Sequence, residues 1–259
     1  MQSALTLTQT TIGKKAVVAV TGLILFGFVI GHLAGNLILF VGPEAYIDYA
    51  WTLKHNPPLL WGTRITLLAA VVTHIALTIQ IARQNTIARP TPYKHGREDQ
   101  ITTYAARTMV ISGPLLLAYI VFHLAHFTVP GFSIQGDFNH VNVYGNLVRD
   151  FRVWWVSAIY VFANIMLGLH LFHGSWSALQ SLGMQHPKYD KLRRAGALSL
   201  AMFVACGNVL IPISVQAGII GSREQLDAAE AYADEKVRED GGDPDADDGS
   251  YDVLYEEAE

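Results

Sequence analysis

Cysteine is almost missing from this chain: Cys206 is the only one in 259 residues. That excludes an intrachain disulfide, a cysteine-ligated iron–sulfur cluster and covalent thioether attachment through a C-x-x-C-H motif. Charge is scarce as well, with 15% charged against 51% hydrophobic residues. An ordinary water-soluble domain does not have this balance. The few charges are unevenly placed. The stretch Ser222 to Glu259 carries fifteen acidic and three basic residues, which leaves seven acidic and fifteen basic for 1–221. The net charge of −4 therefore hides a basic body and a strongly acidic tail. Gly241-Gly242-Asp243-Pro244 and the Asp-rich run after it predict that 222–259 is a disordered extension.

What is present in quantity is apolar sequence. Five segments, about 16–41, 59–82, 109–129, 153–182 and 195–220, each reach the roughly 20 residues needed to cross a bilayer. The first follows Lys14 and Lys15 like a signal peptide, but it is long, carries His32 and Asn36, and lacks a small-residue cleavage site. The fold class expected is therefore an all-α integral membrane protein with five transmembrane helices, 1–221 forming the membrane domain. Eleven basic residues (Lys14, Lys15, Arg83, Arg89, Lys94, Arg97, Arg107, Lys188, Lys191, Arg193 and Arg194) fall on the N-terminal side of the membrane. Four (Lys54, Arg64, Arg149 and Arg152) fall on the other. The positive-inside rule then predicts a cytoplasmic N-terminus and an outer C-terminal tail. Gly42–Pro58 and Pro130–Arg152 become outer connections, Gln84–Arg107 and Gly183–Arg194 inner ones.

Ionisable residues inside a bilayer are costly and usually functional. The first four segments carry His32, His74, His123 with His126, and His170 with His173; the fifth carries none. His32 lies ten residues from Gly42 and His123 seven from Pro130, a depth of roughly 10–15 Å below the outer edge at about 1.5 Å per residue. His74 lies sixteen residues from Pro58 and His170 eighteen from Arg152, roughly 24–27 Å down. Two histidines at each depth, on diagonal helices of a four-helix up-and-down bundle, suit the two axial positions of a haem iron. The first four helices are thus expected to enclose two b-type haems, with His32 and His123 on one iron and His74 and His170 on the other. His126 and His173, three residues past His123 and His170, fit their partners' depths less well and are expected beside the haems rather than on the iron. Gly31, Gly35, Gly168 and Gly174 could admit a flat macrocycle or serve close helix packing.

The pattern resembles the single-chain, five-helix di-haem cytochrome b anchor of succinate dehydrogenase and fumarate reductase, over about 1–221. The marks are Thr10-Thr11-Ile12-Gly13-Lys14-Lys15 with Val20-Thr21-Gly22, then Gly31-His32-Leu33-Ala34-Gly35-Asn36, Thr73-His74 and Phe122-His123-Leu124. The most specific is His170-Leu171-Phe172-His173-Gly174-Ser175-Trp176-Ser177. The resemblance implies His32 and His123 as axial ligands of a distal haem and His74 and His170 of a proximal one, in agreement with the depth count. It also implies an FAD-bearing flavoprotein and an iron–sulfur protein on the cytoplasmic face, and menaquinone or another quinone in the membrane. Two features depart from it. Some members carry a glutamate two residues before the ligand on the fourth helix, where this chain has Gly168, and the acidic tail has no counterpart.

The function these readings predict is electron relay between the iron–sulfur protein and quinone in the cytoplasmic membrane, with lipid and quinone as further partners and no nucleic acid. Oligomerisation of the whole complex stays open. Quinone reduction needs proton donors, and Glu44, Asp48 and His126 are the candidates at the outer side, with Lys54 and His55 nearby. The alternatives are the di-haem membrane component of a nitrate reductase, hydrogenase or formate dehydrogenase, and a transporter whose histidines carry protons or a divalent cation.

Overall fold

The computed structural model describes residues 9–88, 104–129, 132, 134 and 138–244, and within 104–110 the side chain of Met109 alone. Among these residues all regular structure is helical. Five helices are long and apolar enough to cross a membrane: α1 (Thr11–Leu37), α3 (Pro57–Ile87), α4 (Tyr104–Thr128), α6 (Trp154–Ser181) and α7 (Asp190–Gln216). Three shorter ones, α2 (Pro43–Lys54), α5 (Val143–Phe151) and α8 (Arg223–Glu239), complete the set. The five apolar segments of the sequence coincide with the five long helices. Large apolar side chains stay exposed along them, among them Ile24, Phe28, Leu68, Val72, Val121, Phe162, Phe203 and Leu210. Exposed apolar surface of that extent would be an aggregation liability in water and is what lipid tails cover.

The ends are set by local chemistry. Thr10 Oγ1 accepts from the Gly13 amide at the start of α1, and Asn56 Oδ1 accepts from the Leu59 amide at the start of α3, where Pro57 occupies the first turn. Gly183, with φ 78°, follows α6, and Met184 N donates to Leu179 O, the C-terminal closure that a left-handed glycine permits. Pro114 and Pro212 lie inside α4 and α7, as membrane helices tolerate.

The chain divides into two compact units. The first comprises Met1–Gly31, Thr63–Leu115 and Met166–Ala205. Within it Phe26, Leu171, Ala201 and Val204 form a small apolar core backed by Val29, Ile30, Leu167 and Phe172. The second comprises His32–Gly62, Leu116–Ile165 and Cys206–Glu259. Its core is larger, built around Leu39, Ile47, Tyr144, Val148, Phe151, Val156, Tyr160 and Ile211.

The second unit corrects one expectation, on the tail, and adds detail to two connections: 42–58 and 130–152 each contain a helix. Pro43 and the glycine-only backbone of Gly42 (φ 149°) start α2, and Asn142 caps α5 through the Gly145 amide. The tail is not disordered from Ser222 onward. Ser222 and Gln225 form a reciprocal capping box that opens α8. Ala229, Ala233 and Val237 are buried at helical spacing and pack α8 on α2 and α5. Lys236 joins Asp48 at 3.4 Å, and Arg152 donates to the Gly221 carbonyl at 2.6 Å. Acidic composition hid an apolar face of Ala229, Ala233 and Val237, flanked by the partly buried Leu226 and Tyr232. Residues 245–259, the rest of the predicted tail, lie outside the described residues.

Candidate functional site

Each compact unit holds one of the histidine pairs expected from depth. His74 (α3) and His170 (α6) belong to the first unit, with His173; His32 (α1) and His123 (α4) belong to the second, with His126.

In the first unit the two imidazoles are oriented by the helices beside them. Nδ1 of His74 lies 3.1 Å from the Val18 carbonyl and 3.3 Å from Thr21 Oγ1. A carbonyl only accepts, so Nδ1 carries the proton and donates it, and Nε2 keeps its lone pair. Thr21 gives its own proton to Val17 O at 2.8 Å. Gly22 makes room for the ring, since a β-carbon there would stand 3.1 Å from His74 Cε1. Nδ1 of His170 lies 3.2 Å from Ser112 Oγ, a hydroxyl that also stands 3.5 Å from Met109 O. His170 is within electrostatic reach of both His74 and His173. Both ligand candidates thus have Nδ1 held by a protein group, as is usual for metal-bound imidazoles, and for His74 the carbonyl acceptor leaves the lone pair on Nε2.

One turn along α6, His173 Nδ1 and Trp176 Nε1 are buried without a hydrogen-bond partner, their rings 6.1 Å apart. Arg194 stacks on Trp176 at 4.5 Å, and Arg193 Nε is buried and unpartnered too. Buried polar atoms left unpaired are expensive. Donors gathered beside a histidine pair fit the carboxylates of a haem.

In the second unit the rings of His32 and His123 lie 5.9 Å apart, nearly perpendicular at 78°. About 6 Å between ring centres is expected for two imidazoles sharing one metal at about 2 Å per bond. Nδ1 of His123 lies 3.3 Å from Tyr160 OH. Tyr119 stacks on the same ring at 5.8 Å, and Phe127 meets its edge at 5.7 Å. His126 is different: it is fully buried, with Nδ1 2.9 Å from Tyr160 OH and Nε2 2.9 Å from Asp150 Oδ2. Both its nitrogens thus face polar atoms of the protein, although Nε2 lacks hydrogen-bond alignment with Asp150.

The four glycines separate into two kinds. A β-carbon at Gly35 would run into the Tyr49 ring, and one at Gly168 would come within 2.8 Å of Ala205 Cβ on α7. These two serve helix packing, and α7 leaves no room for a glutamate in place of Gly168. Gly31 and Gly174 face open space, as a macrocycle edge requires.

The three quinone candidates do not form one cluster of contacts. Glu44 lies in the first turn of α2, Asp48 is held by Lys236 of α8, and His126 is enclosed with Asp150 and Tyr160. Lys54 donates to the His140 carbonyl, and His55 stacks on Trp51 and pairs with Asp240 at 3.5 Å. Sequence reasoning missed Ser112, Asp150 and Tyr160 as partners of the histidines. Asp150 had one legible signal, a carboxylate three residues ahead of an apolar segment, whereas Tyr160 is indistinguishable from lipid-facing aromatics until the fold is known.

Among the described residues no group of three or more histidine, cysteine or acidic side chains is placed to hold a bare metal ion. The histidines of interest come as pairs. Fold and site together define a multi-pass, all-helical membrane protein with one oriented histidine pair in each of two units. No protein-family model, no curated protein and no solved structure matches the chain.

Proposed function

We propose that this chain is the membrane-anchor cytochrome b of a succinate:quinone oxidoreductase or quinol:fumarate reductase, holding one haem b in each unit. The observation that carries the reading is the pairing: His32 with His123 and His74 with His170, one pair per unit, with Nδ1 of His74, His170 and His123 engaged by protein groups. Haem supplies one-electron chemistry when bound. The chain supplies the axial nitrogens, the hydrogen bonds that fix them, and a water-poor surround. His173, Trp176 and the arginines of α7 are the polar contacts offered at the first pair, and His74 and His170 belong to the cytoplasmic side by the sequence count. Electrons would pass from a cytoplasmic iron–sulfur protein, partnered by a flavoprotein, toward the His32–His123 pair and the quinone. The basic-residue bias supports an outer position for the C-terminal helix, and the cytoplasmic membrane is the location that goes with the proposed function.

The test is a pyridine haemochrome assay with a reduced-minus-oxidised spectrum of the purified chain. Two non-covalent b haems per polypeptide, both low-spin, are expected. A colourless protein would overturn the reading in favour of a proton or cation carrier, and haem without succinate-reducible partners would favour the di-haem component of another respiratory enzyme.

A further inference from the structure

A buried polar chain leads away from His123 that the relay itself does not require. Asp150 on α5 is 2% exposed, and its Oδ2 meets His126 Nε2 at 2.9 Å. Asp150 Oδ1 and His126 Nε2 are both buried without an aligned hydrogen bond, so the two side chains meet as a close contact rather than a hydrogen bond. His126 Nδ1 meets Tyr160 OH at 2.9 Å, and the same hydroxyl meets His123 Nδ1 at 3.3 Å. Three elements, α4, α5 and α6, thus contribute to one line of contacts within the second unit.

The proton order along this line follows from its acidic end. A carboxylate oxygen 2.9 Å from Nε2 of His126 favours the proton on that nitrogen, although the contact lacks hydrogen-bond alignment. Its Nδ1 is then an acceptor, and Tyr160 must donate to it. Having spent its single proton, the Tyr160 oxygen is left to accept from His123 Nδ1. With the proton on His126 Nε2, the line ends on His123 with Nε2 bearing the lone pair. The rings of Phe122, Phe127 and Phe151 pack around His126 and Tyr160. A negative charge in such a low-dielectric setting acts over the whole chain.

Resting on the haem reading above, we propose that Asp150 is a positioning residue that acts through His126 and Tyr160 to fix the tautomer of His123 and make it a more electron-donating ligand. A ligand imidazole whose far nitrogen donates toward an anion is more basic and favours the oxidised iron. Asp150 does not touch the iron or the quinone in this role.

The test is a redox titration of the full-length protein in its membrane complex, followed optically and by low-spin electron paramagnetic resonance. Asp150→Asn keeps the shape and removes the charge; Tyr160→Phe keeps the ring and cuts the chain. Each variant should retain two haems. One haem should become easier to reduce by about tenfold in its oxidised-to-reduced ratio, about 59 mV for a one-electron couple, while the other stays put. The double variant should move no further than Tyr160→Phe alone. If Asp150→Asn does not accumulate, Tyr160→Phe carries the same readout. Unchanged potentials with both haems bound, or single shifts that simply add, overturn the positioning role and leave the haem assignment standing. A wild-type protein that takes up no haem overturns both.

Discussion

The imidazole of His74 lies against the one position of α1 beside it that has no side chain, Gly22, where a β-carbon would stand 3.1 Å from Cε1. At that distance the ring must give by a few tenths of an ångström, and it is tied by Nδ1 to Val18 O. Gly22→Val therefore breaks the orienting hydrogen bond. Loss of about half the haem from the purified protein is expected, with the remaining spectrum that of one low-spin centre. Gly31→Ala, which meets nothing within 4 Å in the protein alone, would report whether the macrocycle edge occupies that space.

The two histidines of α4 should behave oppositely. His123→Ala removes an axial nitrogen and is expected to cost one haem of two. His126→Leu leaves the four paired histidines in place, so haem stoichiometry should stay at two per chain. It should nonetheless destabilise the protein, because leaving a buried polar group without its partner costs about 1–3 kcal/mol. Haem content and a thermal melt, measured side by side, separate the two effects. Loss of haem in His126→Leu with retention in His123→Ala would reverse the ligand assignment.

The spans and the histidine pairs were legible because membrane helices are constrained twice, by length and by the cost of polar groups. A histidine in such a segment stands out, and a count along a regular helix ranks its depth. Short helices escape this logic. Nothing in Pro43–Lys54 or Val143–Phe151 marks a span, and α8 looked disordered because Ala229, Ala233 and Val237 are few and small among acids. Asp150, Tyr160 and Ser112 were silent for a different reason: their roles arise from contacts between helices, which no spacing within one helix encodes.

The docking of α8 should respond to pH in one direction only. The Glu239 carboxylate, and then Asp48, hold the Lys236 ammonium well above its ordinary range. A cation raised in the folded state contributes fully below its unfolded value and is lost only as pH climbs through the higher folded one. Tyr232, raised by burial and by Asp48, loses a proton only in the same alkaline range. Between about pH 7 and 9.5 protease cleavage within 223–239 should therefore stay constant and rise only in stronger alkali. Lys236→Met should loosen the helix by less than about 1 kcal/mol, since the pair is at the surface. Ala233→Leu should cost about 1–3 kcal/mol by overfilling a fully packed contact. A cleavage rate that climbs from pH 7, or an Ala233→Leu variant as resistant as wild type, would show that α8 is held in some other way.

The direction of charge movement gives the sharpest test of how the proposed relay works. Electrons from a cytoplasmic succinate-oxidising partner would reach the His74–His170 pair first. Counting puts the His32 and His123 level about eight residues outward, roughly 12 Å at 1.5 Å per residue. Quinone reduced beyond it would take protons from the outer phase. With the cytoplasm negative, electrons running outward go with the membrane potential, and each elementary charge gains about 2.3 kcal/mol per 100 mV crossed. Succinate is a weak reductant for a low-potential quinone, so that gain is what would carry the reaction forward. An uncoupler should therefore slow succinate-to-quinone turnover in intact cells and leave the detergent-solubilised complex unaffected. Glu44→Gln should lower quinone turnover severalfold while both haems remain reducible by succinate. Asp48→Asn should do so only if α8 also loosens, because its carboxylate is engaged by Lys236. If uncoupler and Glu44→Gln both leave turnover unchanged, the quinone reacts elsewhere, and a site on the cytoplasmic side near Arg83 becomes the better assignment.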